Sequence, residues 1–186
     1  MSAKINSLTD VFYDALRDIY HAEHQLLKAL PKMAKAASCE ELQEGFEKHL
    51  EETEIHCTRL DAIFKMLGKE AKGKKCQAME GLIEEGKEAI EAKVSNGELR
   101  DELLVNAARK VEHYEMAAYC TLAAWAEKLE MKNALKLLKQ TFNEEKSCDD
   151  NLKAHAQQDA ERLEKHPMEE TMADEMREKE LAEANA

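Results

Sequence analysis

The chain has 186 residues, of which 35% are charged and 5% aromatic, with a formal net charge of -12. That length builds one compact domain with a core of its own. The acidic balance argues against wrapping nucleic acid or lying on an anionic membrane, both of which call for a basic surface. Two prolines, six glycines and few aromatics fit an all-α fold rather than a sheet.

The opening stretch, "MSAKINSLTD", lacks the apolar segment of a leader peptide. No apolar run approaches the ~18 residues of a membrane span. Five cysteines, at 39, 57, 76, 120 and 148, contain no C-x-x-C pair. They fit reduced thiols in a cytoplasmic protein.

The first helix is expected from about Leu8 to Ala37, capped by Ser7 or Thr9 and kinked by Pro31. Ser38 and Glu41 have capping-box spacing and predict the start of the second helix, which ends at Gly68. "KEAKGKK" reads as a basic, solvated loop. A shorter helix over about 76–94 ends at "SNG", a long one covers 98–130, "MKN" breaks it, and another covers 133–165. Residues 1–166 form the domain, and the acidic tail 167–186 reads as frayed helix or disordered chain. The plan is two long-helix hairpins joined by a crossover of about thirty residues that carries a short extra helix. That is the layout of a ferritin-like antiparallel four-helix bundle.

Stepping alternately by three and four residues gives each long helix a core seam. The first is Phe12, Leu16, Ile19, Glu23, Leu26, Leu30 and Met33. The second is Leu42, Phe46, His49, Thr53, His56, Leu60, Ile63 and Leu67, with Glu52 on the same face. The third is Leu104, Ala108, Val111, Glu115, Ala118, Leu122, Trp125 and Leu129, with Glu112 one turn from Glu115. The fourth is Leu135, Leu138, Phe142, Glu145, Asp149, Leu152 and Ala156. Every seam is apolar at its ends and acidic, or acidic with histidine, in its middle. Glu23 and Glu52 are 29 residues apart, and Glu115 and Glu145 are 30 apart, astride equivalent hairpin turns. At ~1.5 Å rise per residue, each of these side chains sits roughly 22 Å from its turn, in one layer of one core.

An uncompensated buried carboxylate costs several kcal/mol. Burying Glu23, Glu52, Glu112, Glu115, Glu145 and Asp149 without compensation would exceed a domain's whole stability of ~5–15 kcal/mol. Protons, basic partners or cations must neutralise them. Neither Lys nor Arg falls on these seams at that level, and two divalent metals would supply four positive charges.

"DIYHAEHQL", "HLEET", "KCQAMEGLIEE", "KVEHYEMAAY" and "LLKQTFNEEKSCDDNL" resemble, in order and at collinear spacing, the YciF/YciE-type bacterial stress proteins, a branch of the ferritin-like superfamily. The resemblance implies an antiparallel helical bundle, a homodimer and a di-metal carboxylate centre. The wider di-iron pattern has Glu on the first helix, Glu-x-x-His on the second and fourth, and one or two Glu on the third. Glu23 and Glu112-x-x-Glu115 match it. The second helix reads His49-x-x-Glu52, with His49 and His56 competing for one nitrogen position. The fourth offers Glu145 with Cys148 or Asp149 where His is expected. By analogy Glu52 and Glu145 are the bridging carboxylates.

The expected ligands are therefore Glu23, His49, Glu52, His56, Glu112, Glu115, Glu145 and Asp149, holding two divalent metals, iron first and manganese as the alternative. The expected chemistry is oxidation of Fe(II) by O2 or hydrogen peroxide. The alternative is a structural or interaction bundle whose acidic layer binds metal only for stability, or not at all. His21, His24 and His113 are expected at the surface or an interface, His155 and His166 at the surface. Cys57, Cys120 and Cys148 are expected as buried small apolar groups.

Overall fold

The computed structural model describes residues 5–165. The acidic tail and His166 lie outside the described residues. Among the described residues there are five helices and no strand: α1 Leu8–Ala36, α2 Glu40–Met66, α3 Gln77–Glu91, α4 Gly97–Lys128 and α5 Lys132–Lys165.

Helix α1 is capped by Ser7, whose Oγ accepts from the Asp10 amide at 3.1 Å, and it runs through Pro31 to Ala36. The start of α2 differs from the capping-box expectation. Its N-cap is Cys39, with no side-chain cap of its own. The buried carboxylate of Asp101 in α4 does the capping instead, accepting from the Ser38 amide at 2.8 Å and the Cys39 amide at 2.9 Å. Ser38 packs against the start of α4, where a Cβ on Gly97 would come within 2.1 Å of its Oγ. At its other end α2 closes as expected. Gly68 takes a φ of 63°, the Gly68 amide donates to Lys65 O and the Lys69 amide to Phe64 O, which is the Schellman pattern.

The basic loop after α2 is tied to α1. Arg17 Nε donates to Lys72 O, the Lys74 amide donates to Arg17 O, and Lys74 Nζ pairs with Asp14 at 2.7 Å. Helix α3 buries Met79, Gly86 and Ala89 against α1 and α4. Asn96 caps α4 by accepting from the Leu99 amide. The turn into α5 passes through Glu130 at a φ of 56°.

The short connections make α1/α2 and α4/α5 antiparallel pairs. Contacts of α1 with α4 and of α2 with α5 close the four long helices into a ring. Their facing sides bury the apolar residues of the first two seams nearly as laid out, with Leu67 only half-buried. The third and fourth seams drift. Tyr119 and Ala126 are buried where Ala118 and Trp125 were expected, and Ala134 and Thr141 replace Leu135 and Phe142, which are half-buried. The cause is geometric: a strict 3.5-residue step loses about 20° per heptad against a 3.6-residue helix.

Candidate metal centre

Helix α1 supplies Glu23, α2 supplies His49 and His56, α4 supplies Glu112 and Glu115, and α5 supplies Glu145. All six are at most 3% exposed. Each falls where its helix's apolar face turns toward the other three, so the fold carries them inward. Two overlapping sets result. In one, ligand atoms of Glu23, His56 and Glu145 lie within 4.8 Å of one another; in the other, so do those of His49, Glu112, Glu115 and Glu145. Glu145 belongs to both. Its Oε1 lies 3.0 Å from His56 Nδ1, and its Oε2 lies 3.9 Å from His49 Nδ1. His49 Nε2 lies 3.3 Å from Glu112 Oε1. Both histidines therefore enter the centre, one in each set, although the sequence left them competing for one place.

The electrostatics are those of a crowded, dry anionic site. Burial pushes the carboxyl groups of Glu23, Glu112 and Glu115 above their ordinary values, and the Glu145 charge adds to the effect in each. Burial pulls His56 down, but the Glu145 and Glu23 carboxylates outweigh it and push the ring up to about 11. Among the described residues, Glu23 Oε2, His56 Nδ1, Glu112 Oε2, both nitrogens of His49 and both oxygens of Glu115 and Glu145 have no hydrogen-bond partner. Glu23 Oε2, Glu112 Oε2 and both oxygens of Glu115 also lie in none of the ion-pair contacts with the histidines, and each buried group so left costs about 1–3 kcal/mol. Two divalent cations fit this donor set: four carboxylates and two neutral imidazoles leave no net charge against them, and the orphaned atoms face one another.

Supporting contacts surround the cluster. His56 Nε2 donates to Glu144 at 3.0 Å, leaving Nδ1 toward the centre. Arg59 grips Glu144 with both terminal nitrogens and also donates to Thr141 at 3.0 Å. Burial raises the Glu144 carboxyl, but Arg59 and His56 together hold it below its ordinary value. The Tyr119 hydroxyl donates to Glu23 Oε1. Glu144 and Arg59 lie off the seams, and their pairing spans 85 residues of sequence. The only sequence trace of them is an acid beside Glu145 and an arginine one turn after His56.

Two of the eight expected residues are not brought into the cluster. Asp149 turns to α4, where Arg109 Nε donates to it at 2.8 Å and His113 Nε2 lies 3.3 Å away. Burial raises its carboxyl, yet Arg109 outweighs this and holds it below the ordinary range. No basic residue lies on the seam itself, but Arg109 reaches Asp149 from beside it. Glu52 lies at the rim, its side chain 24% exposed and 3.4 Å from Lys48 Nζ, because the α2 seam passes through Thr53 instead. A cavity of about 100 Å³ runs from Glu41, Lys48 and Glu52 to Glu112 and Cys148, walled by Leu26, Leu42, Phe46 and Leu152.

Other expectations are met in part. Cys120 is exposed and Cys148 half-buried, whereas Cys57 is buried. His21 and His24 are half-buried: His21 Nδ1 accepts from the Cys76 amide, and His24 Nδ1 lies 2.8 Å from Tyr20 O. His113 is exposed and His155 half-buried.

Comparisons with known proteins give the family of the chain and the likeness of its fold. Residues 7–164 match the domain family described as a domain of unknown function, DUF892. The chain is 49% identical over 146 residues to protein YciF of Escherichia coli strain K12, covering 78% of this chain and 87% of that one. The crystal structure of the E. coli stress protein YciF superposes with a TM-score of 0.81 at 46% identity, covering 84% of this chain and 99% of that one. YcfI of Rhodopseudomonas palustris, provisionally described as a structural protein, gives a TM-score of 0.78 at 42% identity, covering 82% and 97%.

Proposed function

This chain belongs to the DUF892 family together with the stress protein YciF, and from that premise we propose that it is a ferritin-like four-helix bundle whose acidic core holds two divalent cations. One observation carries the reading. Four carboxylates and two histidines from all four long helices converge in a buried layer with most of their polar atoms lacking a hydrogen bond. Glu23 and His56 would hold one cation, and His49, Glu112 and Glu115 the other, with Glu145 shared between them. Iron is the first choice and manganese the alternative, since both accept carboxylate and imidazole donors.

Bound as iron, the pair supplies one-electron redox chemistry toward O2 or hydrogen peroxide, and the function is Fe(II) oxidation in the cytoplasm during stress. The residues keep the site dry and anionic. Glu144 fixes the His56 ring so that Nδ1 faces inward, and the Tyr119 hydroxyl orients Glu23. The cavity at Glu112 gives small molecules a way in. We place the protein as a homodimer, by analogy with its family.

The description of YcfI favours a second reading, a helical scaffold whose metal only stabilises it. Turnover separates the two. Anaerobically loaded protein is mixed with O2 or peroxide, and oxidation of added Fe(II) is followed by absorbance. The redox reading expects several Fe(II) oxidised per chain, faster than in buffer; binding of metal with no acceleration leaves the scaffold.

A further inference from the structure

The turn of α5 that carries Glu145 also carries Cys148 and Asp149, and these two face different partners. Arg109 and His113 engage Asp149. Cys148 Sγ instead shares a locus with a ring nitrogen of His49 and a carboxylate oxygen of Glu112, all three within 4.8 Å of one another. Donors arranged tetrahedrally on one zinc-sized ion, bonded at 2.0–2.3 Å, lie about 3.3–3.8 Å apart, so side-chain rotations that draw the three together by about 1 Å bring them to bonding distance.

We propose that His49, Glu112 and Cys148 form a position for one soft divalent cation, zinc by preference. Three observations support it. His49 is 3% exposed with neither ring nitrogen hydrogen-bonded among the described residues, and Glu112 Oε2 is likewise orphaned. One thiolate and one carboxylate balance a divalent charge, with neutral imidazole as the third donor. The cavity that reaches Cys148 and Glu112 leaves room for water as a fourth ligand, which completes a tetrahedron. A sulfur donor favours zinc over iron or manganese, whereas the neighbouring set with Glu115 and Glu145 offers three carboxylates and favours harder ions. On coordination the thiol releases one proton and the sulfur lone pair forms the bond. Because the two positions share His49 and Glu112, a cation in one excludes a cation from the other. Zinc is then an antagonist of loading. The inference rests on the proposed centre only through these two shared residues.

Cobalt(II) is the probe. The full chain, stripped with chelator and kept reduced with a phosphine, is titrated with cobalt, and the near-ultraviolet sulfur-to-cobalt charge-transfer band is followed beside total bound cobalt. A band that Cys148→Ser abolishes, that Cys120→Ser at the exposed cysteine retains, and that zinc bleaches is the expected result. Serine at a half-buried position of equal size leaves the fold intact, and Cys148→Ala repeats the reading. Bound cobalt without the band, or a band that survives Cys148→Ser, overturns the proposal while leaving the carboxylate centre standing. Absence of any bound cobalt overturns both.

Discussion

Glu145 is the residue on which the two halves of the cluster depend, since one oxygen faces His56 and the other faces His49. Glu145→Ala is therefore expected to lose both cations, measured as metal per chain after loading and gel filtration. Glu52→Ala, at the rim beside Lys48, is expected to keep them. Equal losses from the two variants would contradict the division made here. Behind the donors, Glu144 holds the tautomer and orientation of His56. Removing such an orienting group typically weakens a metal by about 10–100-fold. Glu144→Ala is thus expected to weaken one of two manganese binding steps by that factor in calorimetry and to leave the other. The central acids were legible in the sequence because charge on an otherwise apolar 3.6-residue stripe has few inexpensive explanations. Glu144 and Arg59 were not legible. An exposed-looking acid and arginine 85 residues apart become partners only when α2 and α5 pack.

The same limit governs the elements. Where a helix is stopped by its own neighbours, as α1 is by Ser7 and α2 by Gly68, local chemistry suffices and the boundaries follow from the sequence. The start of α2 looked equally local, with Ser38 three residues before Glu41, but the orphan amides there are satisfied by Asp101, more than sixty residues away. Asp101→Ala is expected to cost about 1–2 kcal/mol, as loss of an N-cap does, read from the urea midpoint at constant m-value. Ser38→Ala should cost almost nothing, because the side chain that accepts from the amides at that end is Asp101, not Ser38. A larger loss from Ser38→Ala than from Asp101→Ala would restore the capping box. Seam drift in α4 and α5 has a comparable origin. A 3.5-residue rule holds over one or two heptads and then hands burial to the next position, as Tyr119 and Ala126 show.

For the molecule as a whole, the cluster makes metal-free stability depend on pH with a definite sign. Glu23, Glu112 and Glu115 titrate above 4.5 in the folded chain, and His56 above 6.5. Each folded group keeps a proton that the unfolded chain releases. Stability from these groups is complete below the unfolded values and is lost as pH rises through the folded ones. Glu144 and Asp149 act oppositely, but only below the ordinary carboxylate range. Metal-free protein is therefore expected to melt at progressively lower temperature as pH rises above about 4.5, with the His56 part lost between about pH 6.5 and about pH 11. Saturating manganese should reverse the slope, since cations replace the protons; a flat profile with and without metal would count against a buried anionic cluster. The most direct test of the central claim is metal content itself. Chelator-stripped chain, dialysed anaerobically against Fe(II) or Mn(II), is expected to take up two ions per chain, and the double variant Glu23→Ala/Glu145→Ala none. No stoichiometric uptake by the parent chain, or uptake unchanged in the double variant, would contradict it.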